Sequence, residues 1–217
     1  MSDPISVHVW SDIACPWCFI GKRRFDRGAA QFGGDVSIEY HSFELAPDTP
    51  IDFEGSEVDF LTRFKRIPPV QAQQMIDRVT ALAADEGLAY DYGALKHTKT
   101  LKAHQVLHLA KAEGVQFAVT ERLFRAYFEE GRHLGHDDEL VALAAEAGID
   151  PDKTRAVLEH DTYADAVQAD IDQARSYGIQ GVPFYVIDGR YGVAGAQHPE
   201  TFTAALRQVA AERTTSA

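Results

Sequence analysis

Basic residues are scarce relative to acidic ones in this chain. Its 217 residues include 21 lysines and arginines against 33 aspartates and glutamates, which gives a formal net charge of −12 at pH 7. A protein that binds nucleic acid needs a basic surface to neutralise phosphates. The charge balance therefore argues against that class, and we expect no nucleic-acid partner.

Long hydrophobic runs are also missing. No stretch approaches the roughly 20 apolar residues of a membrane-spanning helix. The first eight residues, Met-Ser-Asp-Pro-Ile-Ser-Val-His, show neither the basic start nor the apolar core of a signal peptide. We therefore expect no membrane partner and a cytoplasmic location.

Cysteine is nearly absent, and the two that occur lie together in Cys15-Pro16-Trp17-Cys18. The motif follows an alternating apolar run that predicts a strand and precedes an amphipathic stretch that predicts a helix. The first turn of a helix has unpaired N–H groups and a partial positive charge, which favour a thiolate on Cys15. In such motifs the thiol pKa falls from about 8.5 to roughly 3.5–7.5.

The spacing of the motif completes this interpretation. Pro16 suits the first helical position, because its missing N–H group would be unpaired there anyway. Cys18 follows Cys15 by three residues and lies on the same helix face, within reach of its sulfur. The pattern predicts thiol–disulfide exchange in which Cys15 attacks and Cys18 resolves the mixed disulfide.

The cysteine pair also admits a zinc site, a structural disulfide or two unrelated buried thiols. A zinc site needs four ligands, so histidines would have to supply two of them. A structural disulfide across so short a loop would restrain the unfolded chain very little. Proline and tryptophan at a strand-to-helix junction favour the redox interpretation over all three alternatives.

Asp12 is the ambiguous residue of this region. A carboxylate close to Cys15 would oppose thiolate formation. It can instead cap backbone donors, relay a proton, or simply form the turn before the helix. The sequence leaves these roles open.

The remaining pattern predicts an α/β protein with a large helical insertion. Val36–Phe43 is a second predicted strand, and residues from about 57 to 177 show helical periods but no convincing strand. Two strands then flank Asp188-Gly189, a strong hairpin signal, and a last helix covers Pro199–Ala211. In the first helix, we expect Lys22, Arg23, Arg24 and Arg27 to point mostly outward. The predicted domains are residues 1–50 with 178–217, and an inserted helical domain over 51–177.

The nine histidines raise the question of a metal site. His104 and His108 have the i, i+4 spacing of paired zinc ligands, but no glutamate completes the HExxH pattern. We interpret them as packed or cleft-lining residues. We interpret His133 and His136 as part of a helix cap and solvated turn, and expect no metal.

Four stretches together carry a family resemblance: Asp12–Gly21, Lys102–Ala110, Gly178–Ile187 and Gly195–Gln197. In these stretches the chain resembles DsbA-type thioredoxin-fold oxidoreductases. Within that group it most resembles the FrnE-like proteins. The resemblance implies a thioredoxin fold with an all-helical insertion. It also implies that Cys15 is the exposed nucleophile and Cys18 the buried resolving thiol.

The same resemblance implies that Val182-Pro183 is a cis-proline loop facing the thiols. A substrate chain could pair there with the exposed backbone of Val182. Pro16 and Trp17 complete the active-site motif, and Asp12, Phe43 and His104 are further candidates, His104 because it belongs to the helical domain that overlooks the thiols.

The implied partners are a protein or small molecule that carries a thiol or disulfide. We expect no resident cofactor, with glutathione left open as a co-substrate, and a monomer or a homodimer. The direction of exchange depends on a reduction potential that the sequence does not fix.

Two other functions stay under consideration. The chain also resembles 2-hydroxychromene-2-carboxylate isomerases and kappa-class glutathione transferases, which use glutathione but typically have serine where Cys15 stands. The two cysteines depart from that pattern. The other alternative is a redox-sensing binding module in which the Cys15–Cys18 bridge gates a cleft.

Overall fold

The centre of the fold is a four-stranded sheet. A computed structural model of the chain describes residues 3–215. Strands β1 (Ile5–Ser11) and β2 (Val36–Ser42) are parallel and in register, with Ile5 opposite Val36. They are joined by helix α1 (Pro16–Phe32), so the predicted strand–helix–strand unit is confirmed, although β2 ends one residue before Phe43.

Helices α2 to α8 follow β2 along the chain. They span Glu57–Lys65, Pro69–Asp85, Leu101–Ala112, Gln116–Phe128, Asp137–Glu146, Pro151–Glu159 and Ala164–Ser176. No strand interrupts them within the described residues, as the helical periods predict. The division into two domains at residues 51 and 178 stays a prediction.

Strands β3 (Phe184–Ile187) and β4 (Tyr191–Ala194) complete the sheet in the order β2-β1-β3-β4. Strand β3 is antiparallel to both β1 and β4. The turn between β3 and β4 contains Asp188 and Gly189 at φ 56° and 65°, as a hairpin turn with positive φ at both central positions requires. The predicted hairpin is therefore confirmed.

One face of the sheet packs against α1 and the closing helix α9 (Pro199–Thr215). Alternate residues of β1 and the apolar side chains of the two helices form this core, whose buried members are Ile5, Val7, Val9, Phe25, Tyr40, Tyr185, Ile187, Phe202, Leu206 and Val209. On the opposite face of the sheet, Trp10 packs with Ala174 and Ile179 in and after α8. The period-2 pattern of β1 therefore serves two separate cores.

The largest core joins the helical insertion to the redox helix. Cys15, Cys18, Phe19 and Ile20 pack in the same cluster as buried residues of α4, α5 and α6. The ring of Phe19 stacks on Phe124 with centroids 5.0 Å apart. The first turn of α1 is therefore part of the helical core as well as part of the sheet unit.

The prediction of an outward-facing basic face on α1 is wrong for two residues. Lys22 is 2% exposed and Arg24 is 8% exposed. The Lys22 ammonium lies 2.9 Å from Asp26 and 3.1 Å from Glu121 on α5, and these carboxylates compensate its burial. Helices of the insertion cover a face that the sequence pattern alone would leave to solvent.

No helix among residues 3–215 is both long enough and apolar enough to cross a membrane.

Candidate active site

Cys15 occupies the cap position of α1, directly after the loop that leaves β1. Its backbone is extended (φ −92°, ψ 112°), and Pro16 takes the first helical position. The Cys18 amide donates to the Cys15 carbonyl at 3.0 Å, which closes the first turn. The sulfur of Cys15 is therefore held at the positive end of the helix, as the motif predicts.

The loop before β3 faces this sulfur. The Val182–Pro183 peptide bond is cis, in agreement with the expectation from the resemblance. The Cys15 thiol donates to the Val182 carbonyl with 3.5 Å between Sγ and the oxygen. Residues 167 positions apart in the chain thus meet at the candidate site.

Cys18 lies one turn further into the helix, and both cysteines are free thiols. Burial, reinforced by the neighbouring Cys15 thiol, raises the pKa of Cys18 well above its ordinary value. Cys18 therefore stays protonated at neutral pH until its environment changes.

The expectation that Cys15 is exposed is wrong, since Cys15 and Cys18 are each only 3% exposed. Cys15 instead lines a cavity of about 560 Å³ between the sheet unit and the insertion. Cys18 does not line it. Helices α2 and α3 cover the thiol that a smaller thioredoxin-like unit would leave open, and access to Cys15 is through the cavity.

The cavity is mostly apolar with a few charged groups. Phe60, Leu61, Ile76, Val79 and Tyr92 contribute apolar and aromatic surface, and Gly181, Val182 and Trp17 lie at the same cavity. Lys65, Arg78 and Glu57 also line it. The lining carboxylates of Asp12 and Glu57 balance these two cations, so the chamber beside the thiol suits a ligand with an apolar or peptide body.

Asp12 caps backbone donors, one of the roles that the sequence left open. Its carboxylate accepts from Leu45 N at 2.7 Å and Ala14 N at 3.3 Å. Burial works against its charge, but the His104 ring and these two amides outweigh burial and hold the pKa of Asp12 below its ordinary 3.8. The carboxylate therefore joins the start of the redox helix to the segment after β2.

His104 reaches the thiol region through Asp12. It is fully buried, and its Nε2 lies 3.4 Å from Asp12 Oδ1. That separation is a close polar contact rather than a well-formed hydrogen bond, and neither ring nitrogen has a hydrogen-bond partner among the described residues. His108 turns instead to Asp170, 3.1 Å away, so the two histidines do not form one metal site.

Trp17 and Phe43 take different positions. Trp17 is 38% exposed and lines the cavity. Phe43 is partly buried, packs with Trp10 and Ile179 on the sheet face covered by α8, and is not among the cavity-lining residues.

Two contacts that support the site carry no sequence signal. The Tyr90 hydroxyl donates to the Pro16 carbonyl at 2.7 Å. Burial, with Tyr92 and the thiols adding to it, raises the pKa of Tyr90, so the hydroxyl stays a donor. Gly21 permits close packing, because a Cβ there would lie 2.9 Å from Pro183 and 2.8 Å from the Tyr185 hydroxyl. Both contacts depend on the tertiary fold.

The zinc alternative for the cysteines finds no support. Within residues 3–215, neither thiol belongs to a group of three converging metal-ligating atoms. The arrangement of Cys15, Cys18 and the Val182 carbonyl is suited instead to sulfur exchange beside a piece of backbone that lines the cavity.

The chain matches the DSBA-like thioredoxin domain family over residues 6–207. It therefore belongs to that family, whose members are generally thiol–disulfide oxidoreductases.

Two similar proteins span nearly the same length. The "probable DsbA oxidoreductase SCO1869" from Streptomyces coelicolor is 42% identical, with a TM-score of 0.89 over 96% of this chain and 91% of its own. The "uncharacterized protein YwbO" of Bacillus subtilis strain 168 is 28% identical, over 93% of this chain and 96% of YwbO.

Two more distant structures share the fold. A 2-hydroxychromene-2-carboxylate isomerase is 16% identical with a TM-score of 0.68, over 98% of this chain and 99% of its own. The cytosolic disulfide reductase DsbM from Pseudomonas aeruginosa, solved with GSH, is 16% identical with a TM-score of 0.65, over 94% and 98% of the two chains.

Proposed function

We propose that this protein is a thiol–disulfide oxidoreductase that exchanges disulfides through Cys15 and Cys18. One observation carries the proposal. The Cys15 sulfur lies at the helix cap, lines the cavity, and contacts the Val182 carbonyl at 3.5 Å. This geometry presents a sulfur and a strip of backbone to the same ligand.

In the reductive direction, the Cys15 thiolate attacks one sulfur of a substrate disulfide. The substrate S–S bond breaks as the bond to Cys15 forms, and the departing sulfur takes a proton from solvent. Cys18 then loses its proton and attacks Cys15, so that the intramolecular disulfide forms and the second substrate thiol leaves. Two electrons pass from protein to substrate, and a thiol reductant of the glutathione or dithiol-protein class restores the pair. The oxidative direction reverses these steps.

The environments of the two thiols support different roles. Cys15 faces the cavity, whereas Cys18 is enclosed and its pKa is raised by burial. A substrate sulfur in the cavity meets Cys15 first. Cys18 then acts only on the mixed disulfide, which forms one helical turn away.

We infer a cytoplasmic setting and a partner that carries a thiol or disulfide, either a protein or a small molecule. Both cysteines of the chain lie in the one motif. That usage suits a reducing compartment, where lasting structural disulfides are rare. A peptide substrate would pair with the Val182 backbone as a short added strand.

The test is insulin reduction driven by dithiothreitol. We expect the native protein to accelerate it and Cys15→Ser to abolish the acceleration. Cys18→Ser should retain the attack but stall, so that the reduced variant mixed with insulin in the absence of dithiothreitol accumulates a mixed disulfide that is seen by mass spectrometry. Far-UV circular dichroism controls for folding. An inactive native protein, or a Cys15→Ser variant that keeps its activity, would contradict the proposal.

The cavity gives a second candidate some weight. Lys65 and Arg78 line it together with Cys15, and glutathione offers two carboxylates and a thiol to such a chamber. A glutathione-dependent isomerase or transferase of the 2-hydroxychromene-2-carboxylate isomerase or kappa type would use this arrangement. Glutathione conjugation that survives in Cys18→Ser while insulin reduction fails would favour this second function.

A further inference from the structure

Three metal-ligating side chains converge on the sheet face opposite α1. His8 on β1 lies opposite Glu39 on β2 in the strand register. His41 Nε2 lies 2.9 Å from His8 Nδ1 and 3.2 Å from Glu39 Oε1, and the three ligand atoms all lie within 4.8 Å of one another. Two parallel strands therefore present two imidazoles and a carboxylate to one point.

Asp170 on α8 fixes the orientation of the His41 ring. Its Oδ1 lies 2.8 Å from His41 Nδ1, and its Oδ2 accepts from Ser42 N at 2.8 Å. A carboxylate accepts, so the Asp170 contact places a proton on Nδ1 of His41 and leaves Nε2 as the ring nitrogen that can bind a metal.

Trp10 holds the same ring from the side. Its indole stacks on His41 with centroids 4.6 Å apart and 16° between the planes. The indole N–H donates to the backbone carbonyl of Asp170 at 3.0 Å. His41 is therefore locked by a stacked ring on one side and by a carboxylate behind it, the support that metal-binding histidines generally have.

We propose that His8 Nδ1, His41 Nε2 and Glu39 Oε1 form a binding site for a divalent zinc ion. Zinc binds imidazole nitrogens at about 2.0–2.1 Å and carboxylate oxygens at about 2.0–2.2 Å. Tetrahedral ligands at those lengths lie about 3.3 Å apart, close to the 2.9 and 3.2 Å observed. The site supplies three ligands and leaves the fourth position to water.

The ligands are in a state that can accept the ion. When zinc binds, the proton between His8 Nδ1 and His41 Nε2 is displaced to solvent or to His8 Nε2, so that both nitrogens present lone pairs to the ion. Lys111 lies 2.6 Å from Glu39 but is 45% exposed, and it can move into solvent when the ion takes its place.

A second histidine group is less suited to zinc and provides the control. His133 and His136 both point Nε2 at Asp52, at 3.3 and 2.7 Å. The Gly135 amide donates to His133 Nδ1 at 3.2 Å. A neutral His133 ring therefore carries its proton on Nε2, the atom that would have to bind the metal.

The sequence predicts no metal, because no glutamate completes the HExxH pattern around His104 and His108, and because His133 and His136 are interpreted as part of a helix cap and turn. The zinc ligands lie on two strands, and the carboxylate behind them comes from α8. No local spacing marks such a site.

The test uses ZnCl₂ titrated into the oxidised protein, in which the Cys15–Cys18 disulfide removes both thiols as ligands. We expect one equivalent of zinc to bind by isothermal titration calorimetry, and the melting temperature to rise with zinc concentration. CoCl₂ should give the visible absorption of a four-coordinate site.

His8→Ala and Glu39→Gln should each weaken binding at least about tenfold, and Asp170→Asn by roughly 10–100-fold. His133→Ala is the matched control and should bind as the native protein does. Glu39 is 32% exposed, so Glu39→Gln tests the site even if His8→Ala fails to fold. The proposal is overturned if the native protein takes up no stoichiometric zinc, or if the ligand variants bind as well as the control.

Discussion

Asp12 connects the thiol motif to the segment after β2 and to α4. The groups that it contacts there favour a negative charge on its carboxylate. Both of its oxygens are used, by two backbone amides and by His104. Asparagine keeps one acceptor oxygen, but its NH2 group would face a backbone amide that is itself a donor. The carboxylate is therefore hard to replace, although an aspartate in a turn is a common residue.

We expect Asp12→Asn to lower the free energy of unfolding by about 1–3 kcal/mol at pH 7, the cost of leaving buried donors unpaired. The folded-state pKa of Asp12 lies below its ordinary 3.8. Its contribution is therefore fully present above that value and is lost as the pH falls through the lower folded pKa. Urea unfolding should show the difference between variant and native protein shrinking in that acid range.

Asp48→Asn serves as the control, because Asp48 is exposed and should change stability by no more than about 0.5 kcal/mol. A difference between Asp12→Asn and native protein that stays constant down to pH 2 would show that the charge of Asp12 contributes nothing.

At the scale of elements, α1 is attached to the insertion and to the loop after β4 by one guanidinium. Arg24 donates to Glu86, at the end of α3, at 2.6 Å and to the Ala196 carbonyl at 2.7 Å. Glu86 is 6% exposed and also pairs with Arg27, which is 48% exposed. The two arginines therefore share one carboxylate, although Arg24 is buried and Arg27 is largely exposed.

We expect Arg24→Leu to lower the free energy of unfolding by about 3 kcal/mol, since it leaves the buried Glu86 carboxylate with one partner and removes the donor to the Ala196 carbonyl. Arg27→Leu is the matched substitution and should cost less than about 1 kcal/mol. Chemical denaturation of both variants measures the contrast. Equal losses would mean that burial does not distinguish the two pairs.

The packing of α1 against the cis-proline loop makes a second prediction at this scale. A methyl group at Gly21 would meet Pro183 and Tyr185 below 3.0 Å, whereas one at Gly181 would meet nothing within 4 Å. We expect Gly21→Ala to cost about 1–3 kcal/mol through overpacking, and to slow insulin reduction about tenfold by moving the loop away from Cys15.

Gly181→Ala should change stability by less than about 1 kcal/mol. Denaturation and the insulin assay, run on both variants, separate the two effects. A Gly21→Ala variant as stable and as active as Gly181→Ala would show that the close approach is not required.

At the scale of the whole molecule, the redox helix and the insertion share one core. Because Cys15, Cys18 and Phe19 pack among residues of α4 to α6, we expect the sheet unit and the insertion to unfold together. In Trp17→Phe the one remaining tryptophan is Trp10, whose side chain lies on the sheet face that α8 covers. Its fluorescence and the far-UV circular dichroism of the helices should give coincident urea transitions.

Two separate transitions would instead support independent folding of the predicted domains, 1–50 with 178–217 and 51–177. The native protein, in which Trp17 also fluoresces and reports on the cavity, is unfolded in urea in the same way. Coincident transitions there but not in Trp17→Phe would show that the substitution itself uncouples the sheet unit from the insertion.

The sequence predicts the features whose interacting residues are close together in the chain, and it misses those whose residues are far apart in the chain. The strand-to-helix junction at Cys15 and the Asp188-Gly189 hairpin are set by neighbouring residues, and the structure agrees with both predictions. The burial of Lys22 and Arg24, and the enclosure of Cys15, follow from helices of the insertion that cover α1. Arg24 and Glu86 are 62 positions apart, and no periodic pattern links them.

The partner of the Cys15 sulfur is a main-chain oxygen. Every amino acid supplies that oxygen, so the contact at Val182 does not depend on which side chain stands there. A library randomised at position 182 should therefore change which ligands the cavity prefers while the sulfur contact is retained. Selection for altered specificity can act at this position without rebuilding the reactive centre.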